Sequence, residues 1–212
     1  ATDTAKDTGP DLSKRADSLR KMALQLQYKD NNPAALAGFF AALENLAKNP
    51  KTIRVLHFGD SQLEGDRMTS LIRARLQSRF GGIGPGLVAP VNIAPSFSVD
   101  QEVSENWVRY PGYGKRDTAV HHTRYGVLAT FCRFSPVNVD TFTKESEEYE
   151  AWVRFKRAGR AYAGAKEFSR IRLLYGNNRQ PVHVKAFADG VLLGEDDLPA
   201  GTSLKTYSWE FA

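Results

Sequence analysis

The residues best suited to chemistry form a Gly-Asp-Ser triplet, Gly59 to Ser61, which follows an apolar run and precedes a helical pattern. A serine between a strand and a helix lies at the carboxyl edge of a sheet, where open α/β folds bind their ligands. Its backbone N–H and the N-terminus of the helix behind it both favour a developing oxyanion. Ser61 is therefore a candidate nucleophile. The alternative is that Ser61 or Asp60 only caps the helix, a common use of both residue types.

A serine nucleophile needs a base, and the chain contains four histidines. His57 precedes Ser61 by four residues on the same predicted strand, too close along the chain to reach its hydroxyl, so we interpret it as structural. His183 lies in an alternating pattern that is typical of a strand. His121 and His122 are adjacent, but two histidines lack the third ligand that a catalytic metal site requires. None of the four is assigned as the base.

Hydrophobic periodicity predicts helix, helix, strand and helix between residues 11 and 80. Apolar residues at steps of three and four predict a first helix over residues 11–28. Asn32-Pro33 supplies a cap and a first-turn proline for a second helix, which ends at Asn49-Pro50. Residues 53–58 are apolar apart from Arg54 and His57 and predict a buried parallel strand. A third helical pattern then runs from Met68 to Phe80.

The pattern changes at the glycine-rich segment of residues 80–86, which cannot continue a helix. Beyond it the sequence predicts short strands, and Asp189-Gly190 indicates a tight hairpin turn. This half is expected to form an antiparallel β-sandwich. The predicted strands cover residues 151–156, 170–175, 182–188 and 204–211.

The stretch "VLHFGDSQLEGDR", followed by a helix and by "RFGGIGPGLVAP", resembles the first conserved block of the SGNH, or GDSL-type, hydrolases. More narrowly, it resembles the branch that contains bacterial peptidoglycan O-acetylesterases. The resemblance implies that Ser61 is the nucleophile and that its N–H is one oxyanion donor. It further implies that Gly59 permits the tight turn, that Asp60 holds it, and that Asp66 matches a family aspartate with a structural role.

The resemblance also implies a fold class. The chain is expected to be α/β, with the start of an SGNH-type, flavodoxin-like, three-layer parallel sheet preceded by helices and followed by an inserted β-sandwich similar to a carbohydrate-binding module. The expected organisation is a flexible N-terminus over residues 1–10, part of the hydrolase domain over residues 11–90, and a β-rich inserted domain, itself incomplete, over residues 91–212.

The later blocks of this family supply a glycine and an asparagine to the oxyanion hole and an Asp-x-x-His motif, and no Asp-x-x-His occurs in this sequence. Gly176 and Asn178 in "LLYGNNRQP" imitate the glycine–asparagine block, but we interpret them as a hairpin turn because Arg179 stands where the family has aspartate. The Asp–His partners of Ser61 are therefore expected on a C-terminal part of the same protein outside these 212 residues.

The predicted function is a serine esterase that removes O-acetyl groups from a cell-wall polysaccharide, most naturally the muramoyl residues of peptidoglycan. Two alternatives stay open: an O-acetyltransferase that uses the same serine, and a catalytically silent glycan-binding protein. Possible stacking faces for the glycan are four aromatic side chains, each of which could instead belong to the core. They are Trp107, Tyr110, Tyr113 and Trp152.

Composition and charge indicate the surroundings in which the protein works. The net charge of +5 and the pI near 9.3 suit an anionic cell-wall surrounding, although a mildly basic protein without charged partners has the same composition. No apolar run approaches the roughly 20 residues of a membrane-spanning helix. We expect an extracytoplasmic protein whose signal peptide has been removed, with no cofactor, no metal and no nucleic-acid partner. The single cysteine, Cys132, excludes an internal disulfide and is expected to be a buried thiol.

Overall fold

The computed structural model describes residues 12–23, 25–135 and 149–211. The chain forms two compact units, residues 1–54 and residues 55–212. The architecture is a mixture of helices and small antiparallel sheets, so the α/β class holds in this general sense. The predicted flexible start, residues 1–10, lies outside the described residues.

Helices make up the first unit. Helix α1 spans Leu12–Ala23 and is shorter than the predicted helix, and α2 spans Ala37–Glu44 between two short 3-10 turns. The turn that leads into α2 begins as the sequence predicts, because the Asn32 side chain accepts a hydrogen bond from the Ala34 N–H at 3.0 Å and Pro33 takes the first helical position. Asn32 therefore caps this end of the second helix.

Residues 53–58 do not form the predicted buried parallel strand. They belong to no sheet in the described part of the chain, and Val55, Leu56 and Phe58 are 55%, 60% and 84% exposed. A parallel strand needs neighbouring strands for its backbone hydrogen bonds, and none of the described strands runs beside this segment. The flavodoxin-like parallel sheet is accordingly not present among the described residues.

In the second unit, helix α3 spans Arg67–Phe80 as predicted, and Gly81 ends it with a φ of 81°. Its C-terminal turn is fixed by the later part of the chain. The Gln77 side-chain amide donates to the Gly84 carbonyl at 2.9 Å, and the Gly84 N–H donates to the Gly164 carbonyl at 2.8 Å. Gly164 belongs to the short helix α4, Ala163–Lys166, which packs against α3.

The strands of the second unit form four two-stranded antiparallel sheets, with pairs β1–β4, β2–β3, β5–β8 and β6–β7. The predicted bounds of two strands are confirmed, and those of two others shift by one or two residues. The strands are β1 Val99–Val103, β2 Trp107–Pro111, β3 Thr130–Phe134, β4 Val153–Arg157, β5 Arg170–Tyr175, β6 Val182–Ala188, β7 Val191–Leu198 and β8 Lys205–Glu210.

Two turn predictions have opposite outcomes. Asp189 and Gly190 join β6 to β7 with φ values of 49° and 83°, as a type I′ hairpin turn requires. The segment "GNNRQP" is not a hairpin turn, because β5 pairs with β8 while β6 pairs with β7. Asn178 instead forms an isolated bridge with Gly201. The segment therefore connects two sheets, and the β-sandwich and the domain boundary near residue 90 stay predictions.

Candidate active site

Ser61 lies at the start of a short 3-10 turn, Ser61–Asp66, directly before α3. Asp60 caps this turn, since its side chain accepts a hydrogen bond from the Gln62 N–H at 2.9 Å. The Ser61 side chain is exposed, and its hydroxyl has no hydrogen-bond partner among the described residues. The sequence allowed either Asp60 or Ser61 to cap the helix. In the structure Asp60 is the cap, and the Ser61 hydroxyl does not cap the turn.

The Arg67 side chain, directly after the turn, binds back to the turn's backbone carbonyls. Its Nη2 donates to the Ser61 carbonyl at 2.8 Å, and its Nε donates to the Glu64 carbonyl at 3.2 Å. One guanidinium therefore binds two backbone carbonyls of the same turn. Since the planar fork of arginine fixes the relative direction of its donors, this contact holds the backbone of Ser61 in place.

Gly65 is the point at which the turn meets a second loop. Its φ of 68° is in the left-handed region, and a Cβ at this position would lie 2.8 Å from the Pro95 carbonyl oxygen. Its own carbonyl accepts a hydrogen bond from the Phe97 N–H at 2.6 Å. A residue with a side chain would be strained here and would also collide with the loop.

Asp66 is the centre of a half-buried polar network. Its carboxylate accepts two hydrogen bonds of 2.8 Å from Arg73, which lies seven residues later, about two turns along α3. It also accepts hydrogen bonds from the hydroxyls of Thr69 and Ser98. Ser98 is almost completely buried. The network joins the turn, the helix and the loop before β1, so the structural role that the resemblance implies for Asp66 has a concrete basis in these contacts.

Burial alone would raise the pKa of Asp66, because it disfavours the charged carboxylate. The hydrogen bonds from Arg73, Ser98 and Thr69 and the charge of Arg73 outweigh this effect. The pKa of Asp66 is therefore lowered from its ordinary value of 3.8. The group is a carboxylate at neutral pH and contributes as an acceptor and as a negative charge.

Gly59 directly precedes Asp60, the cap of the Ser61 turn, and lies beneath the side chain of Leu63. Its backbone is not in the left-handed region, so the turn does not require glycine for its φ. A Cβ at this position would lie 2.7 Å from Cδ1 of Leu63, whose side chain folds over it. A larger residue at position 59 would therefore require the Leu63 side chain to move.

None of the four histidines, all of which lie in the described residues, forms a hydrogen bond with Ser61. His57 and His121 are exposed. His122 packs against Phe131 and Tyr125, and its Nδ1 accepts from the Arg124 N–H at 3.2 Å. In the described part of the chain no three His, Cys, Asp or Glu side chains are grouped so as to hold a metal ion.

His183 is a strand residue, as predicted, but it has carboxylate partners that the sequence did not indicate. Its Nδ1 lies 2.8 Å from Asp197 Oδ1 and its Nε2 lies 3.4 Å from Glu195 Oε2, both on β7 across the hairpin. The hydrogen bond with Asp197, followed by that with Glu195, raises the pKa of His183 above 6.5. Counting back from the Asp189-Gly190 turn along both strands pairs His183 with Asp196, and the irregularity between Ala186 and Phe187 shifts the partner by one residue to Asp197.

The four aromatic side chains proposed for glycan contact do not share one face. Trp107 and Tyr110 alternate along β2 and so point to opposite sides of the β2–β3 ribbon. Tyr110 stacks on Phe131 with ring centroids 4.9 Å apart, whereas Tyr113 and Trp152 are about half exposed. Tyr110 therefore packs on a neighbouring ring, and contact of all four with a glycan stays a prediction.

Cys132 is half-buried on β3, directly across from Arg109. Burial raises the pKa of its thiol above 9.0, although a backbone hydrogen bond and the charge of Arg109 act in the opposite direction. A thiol with a raised pKa is a poor nucleophile at neutral pH. Cys132 is thus a structural side chain and not a rival of Ser61.

Comparison of the chain with protein-family models, with curated proteins and with solved structures finds no significant match. In the described residues, no helix is long and apolar enough to cross a lipid bilayer. What can be said of function therefore rests on the residues of this chain and on their contacts.

Proposed function

We propose that the protein is a serine esterase of the SGNH type that removes O-acetyl groups from a cell-wall polysaccharide, with Ser61 as the nucleophile. The observation that supports the proposal most strongly is that Asp60, and not Ser61, caps the Ser61 turn. The cap is provided by Asp60, and the exposed Ser61 hydroxyl has no hydrogen bond among the described residues. A serine that only served the turn would use its hydroxyl to satisfy backbone groups.

The turn can supply part of the chemistry of acyl transfer. The Ser61 Oγ attacks the acetyl carbonyl, the sugar hydroxyl leaves with a proton, and water then hydrolyses the acetyl-serine. The Ser61 N–H, which has no acceptor among the described residues, is a donor for the oxyanion. Arg67 binds the Ser61 carbonyl at 2.8 Å and so holds the peptide unit that follows Ser61.

The base that accepts the Ser61 proton belongs, in this proposal, to a further segment of the native polypeptide. Residues 55–58 support this proposal. Their exposed apolar side chains and unpaired backbone groups would be covered if a further strand paired with this segment. A parallel sheet completed there would bring other strand ends to the edge where Ser61 lies. This is the part of the flavodoxin-like fold that the described residues do not contain.

The substrate class follows from the resemblance and from charge. An extracytoplasmic enzyme with a net charge of +5 suits the anionic glycans of a cell wall, and peptidoglycan that carries O-acetylmuramoyl groups is the proposed substrate. Trp107, Tyr113 and Trp152 are the side chains proposed to contact it. No cofactor is needed for this chemistry.

The experiment is acetate release by the complete native polypeptide from O-acetylated peptidoglycan and from an aryl acetate. We expect Ser61→Ala to abolish release from both substrates, while Ser70→Ala, a serine on α3 whose hydroxyl bonds the Arg67 carbonyl, leaves the acetyl-enzyme chemistry in place. Acetate release that survives Ser61→Ala would rule out the nucleophile assignment. Acetate that moves to a sugar and not to water would identify an O-acetyltransferase.

A further inference from the structure

One side of the β2 strand carries alternating aromatic and cationic side chains. Trp107 and Arg109 are two residues apart on β2 and therefore face the same side. The guanidinium of Arg109 reaches Tyr113, where its Nη2 donates to the phenol oxygen at 3.0 Å and its central carbon lies 5.9 Å from the ring centroid. At the other end, the indole N–H of Trp107 donates to the Trp152 carbonyl at 3.2 Å. We call Trp152, Trp107, Arg109 and Tyr113 the aromatic–arginine row.

The exposed ring of Trp152 stands on a fixed backbone. Its N–H donates to the Ser104 hydroxyl at 3.0 Å, and its carbonyl accepts from the Ser104 N–H at 3.0 Å as well as from Trp107. The buried Asn106 side chain holds the neighbouring Glu150 carbonyl at 2.8 Å. Half of the Trp152 surface is nevertheless exposed. A large apolar side chain that is exposed on a well-anchored backbone is suited to binding a ligand.

Arg109 gives the row a positive charge that no carboxylate among the described residues neutralises. Arg109 forms no ion pair in the described residues, and its buried Nε has no hydrogen-bond partner there. Arg154 lies over the Trp152 ring at 5.5 Å and is 3.4 Å from Glu102, which Lys156 approaches more closely. The guanidinium of Arg109 is therefore the group in the row that is best placed for a ligand carboxylate.

We propose that the aromatic–arginine row binds the chain of a carboxylated polysaccharide, an inference that rests on the proposed function. Sugar rings present apolar C–H faces that pack on Trp152 and Tyr113, and carboxylates between them pair with Arg109. Single-stranded nucleic acid also uses aromatic and basic side chains. It suits the row less, because the Glu102 carboxylate lies 3.4 Å from Arg154 beside the row and opposes a ligand with one charge per nucleotide more strongly than a ligand with fewer charges.

The test is a binding measurement with two matched probes. The first probe is peptidoglycan glycan strands freed of peptide, which expose lactyl carboxylates, and the second is the same strands with these carboxylates converted to methylamides. Trp152→Ala and Tyr113→Ala are each expected to raise the Kd for the first probe about fivefold, as the loss of one stacking ring does. Arg109→Gln is expected to remove the preference for the first probe over the second.

Matched controls separate the row from the general surface. Tyr162→Ala removes another partly exposed ring, which contacts Phe97, and Arg170→Gln removes an exposed arginine that pairs with Glu210. Both should leave the Kd unchanged. Circular dichroism and the urea midpoint of each variant show whether it is folded, and Tyr113→Phe serves as a second variant that keeps the ring.

The inference is overturned by equal binding of the two probes, by a Kd that Trp152→Ala and Tyr113→Ala do not change, or by tighter binding of single-stranded DNA than of glycan. Its failure is distinct from failure of the esterase proposal. The variant Ser61→Ala, which tests the esterase proposal by acetate release, should bind the glycan as wild type does, so the two proposals are tested by different variants and different readouts.

Discussion

The two flanks of Ser61 are held in opposite ways. On the N-terminal flank, residues 55–58 are apolar, exposed and unpaired in any described sheet. On the C-terminal flank, the turn to Asp66 is tied by Arg67, by the Phe97 N–H and by the half-buried network of Asp66. The comparison teaches that the Ser61 turn is positioned from the helix side by local polar contacts, while the apolar segment before it has no partner strand among the described residues.

The largest expected effect on stability comes from removing Asp66, the centre of the polar network on the C-terminal side of Ser61. Asp66→Ala should lower the free energy of unfolding by about 3 kcal/mol, because it leaves the half-buried Arg73 without its carboxylate partner. Urea unfolding measures the change. Thr69→Val, which removes one donor to Asp66 and leaves Arg73 paired, is the control and should cost clearly less. Equal losses in the two variants would show that the ion pair is not the main contribution.

The pH dependence of stability tests the same network. Since the pKa of Asp66 is lowered in the folded protein, the carboxylate contributes stability that is fully present above its unfolded pKa of about 3.9. That contribution is lost as the pH falls through the lowered pKa. The difference in unfolding free energy between wild type and Asp66→Asn should thus be constant near neutral pH and shrink below about pH 4. A difference that grows on acidification would contradict this.

Gly65 tests the contact between the turn and the loop before β1. Gly65→Ala should destabilise the protein by about 2 kcal/mol, because alanine is strained at a φ of 68° and its Cβ would meet the Pro95 carbonyl. Gly159→Ala is the matched control, since no atom lies within 4 Å of a Cβ there and its φ is not positive. Thermal unfolding of both variants gives the comparison, and equal shifts of Tm would mean that the loop contact does not matter.

Substitutions in the exposed segment of residues 55–58 should change the free energy of unfolding much less. In a polypeptide of residues 1–212, Phe58→Ser is expected to change the free energy of unfolding by less than about 0.5 kcal/mol, because the side chain is 84% exposed. In the complete native polypeptide we expect a clearly larger loss, since the proposed neighbouring strand would cover Phe58. Urea unfolding of both forms measures this, and an equally small effect in each would contradict the proposal that a strand pairs here.

The smallest effect is expected at an exposed ion pair, which serves as a reference for the half-buried one. The raised pKa of His183, caused first by Asp197, means that its contribution is present below its unfolded pKa of about 6.5 and is lost as the pH rises through the folded pKa. His183→Gln should therefore approach wild-type stability above neutral pH. The titration of the His183 ring by NMR checks the direction, and a pKa below 6.5 would contradict it.

The sequence predicted the elements whose signals are local. Asn32-Pro33 and Asp189-Gly190 were found because capping and type I′ turns depend on two or three adjacent residues. The strand at residues 53–58 was wrongly predicted as buried, because an apolar run reveals which side chains avoid water but not whether a partner strand is at hand. The Asp66 network was missed for a similar reason. Asp66 and Arg73 are seven residues apart, which helix periodicity can suggest, but Ser98 is 32 residues away and nothing in the sequence links it to them.

The exposed segment of residues 55–58 has a consequence for handling the protein. A short, mostly apolar run with exposed side chains and free backbone groups is a template for pairing between molecules, so concentrated samples of residues 1–212 should associate through it. Arg54 and Asp60 flank the run and His57 interrupts it, which is how natural sequences restrain such segments. Replacing Phe58 by lysine would strengthen this restraint and yield a sample suited to solution work.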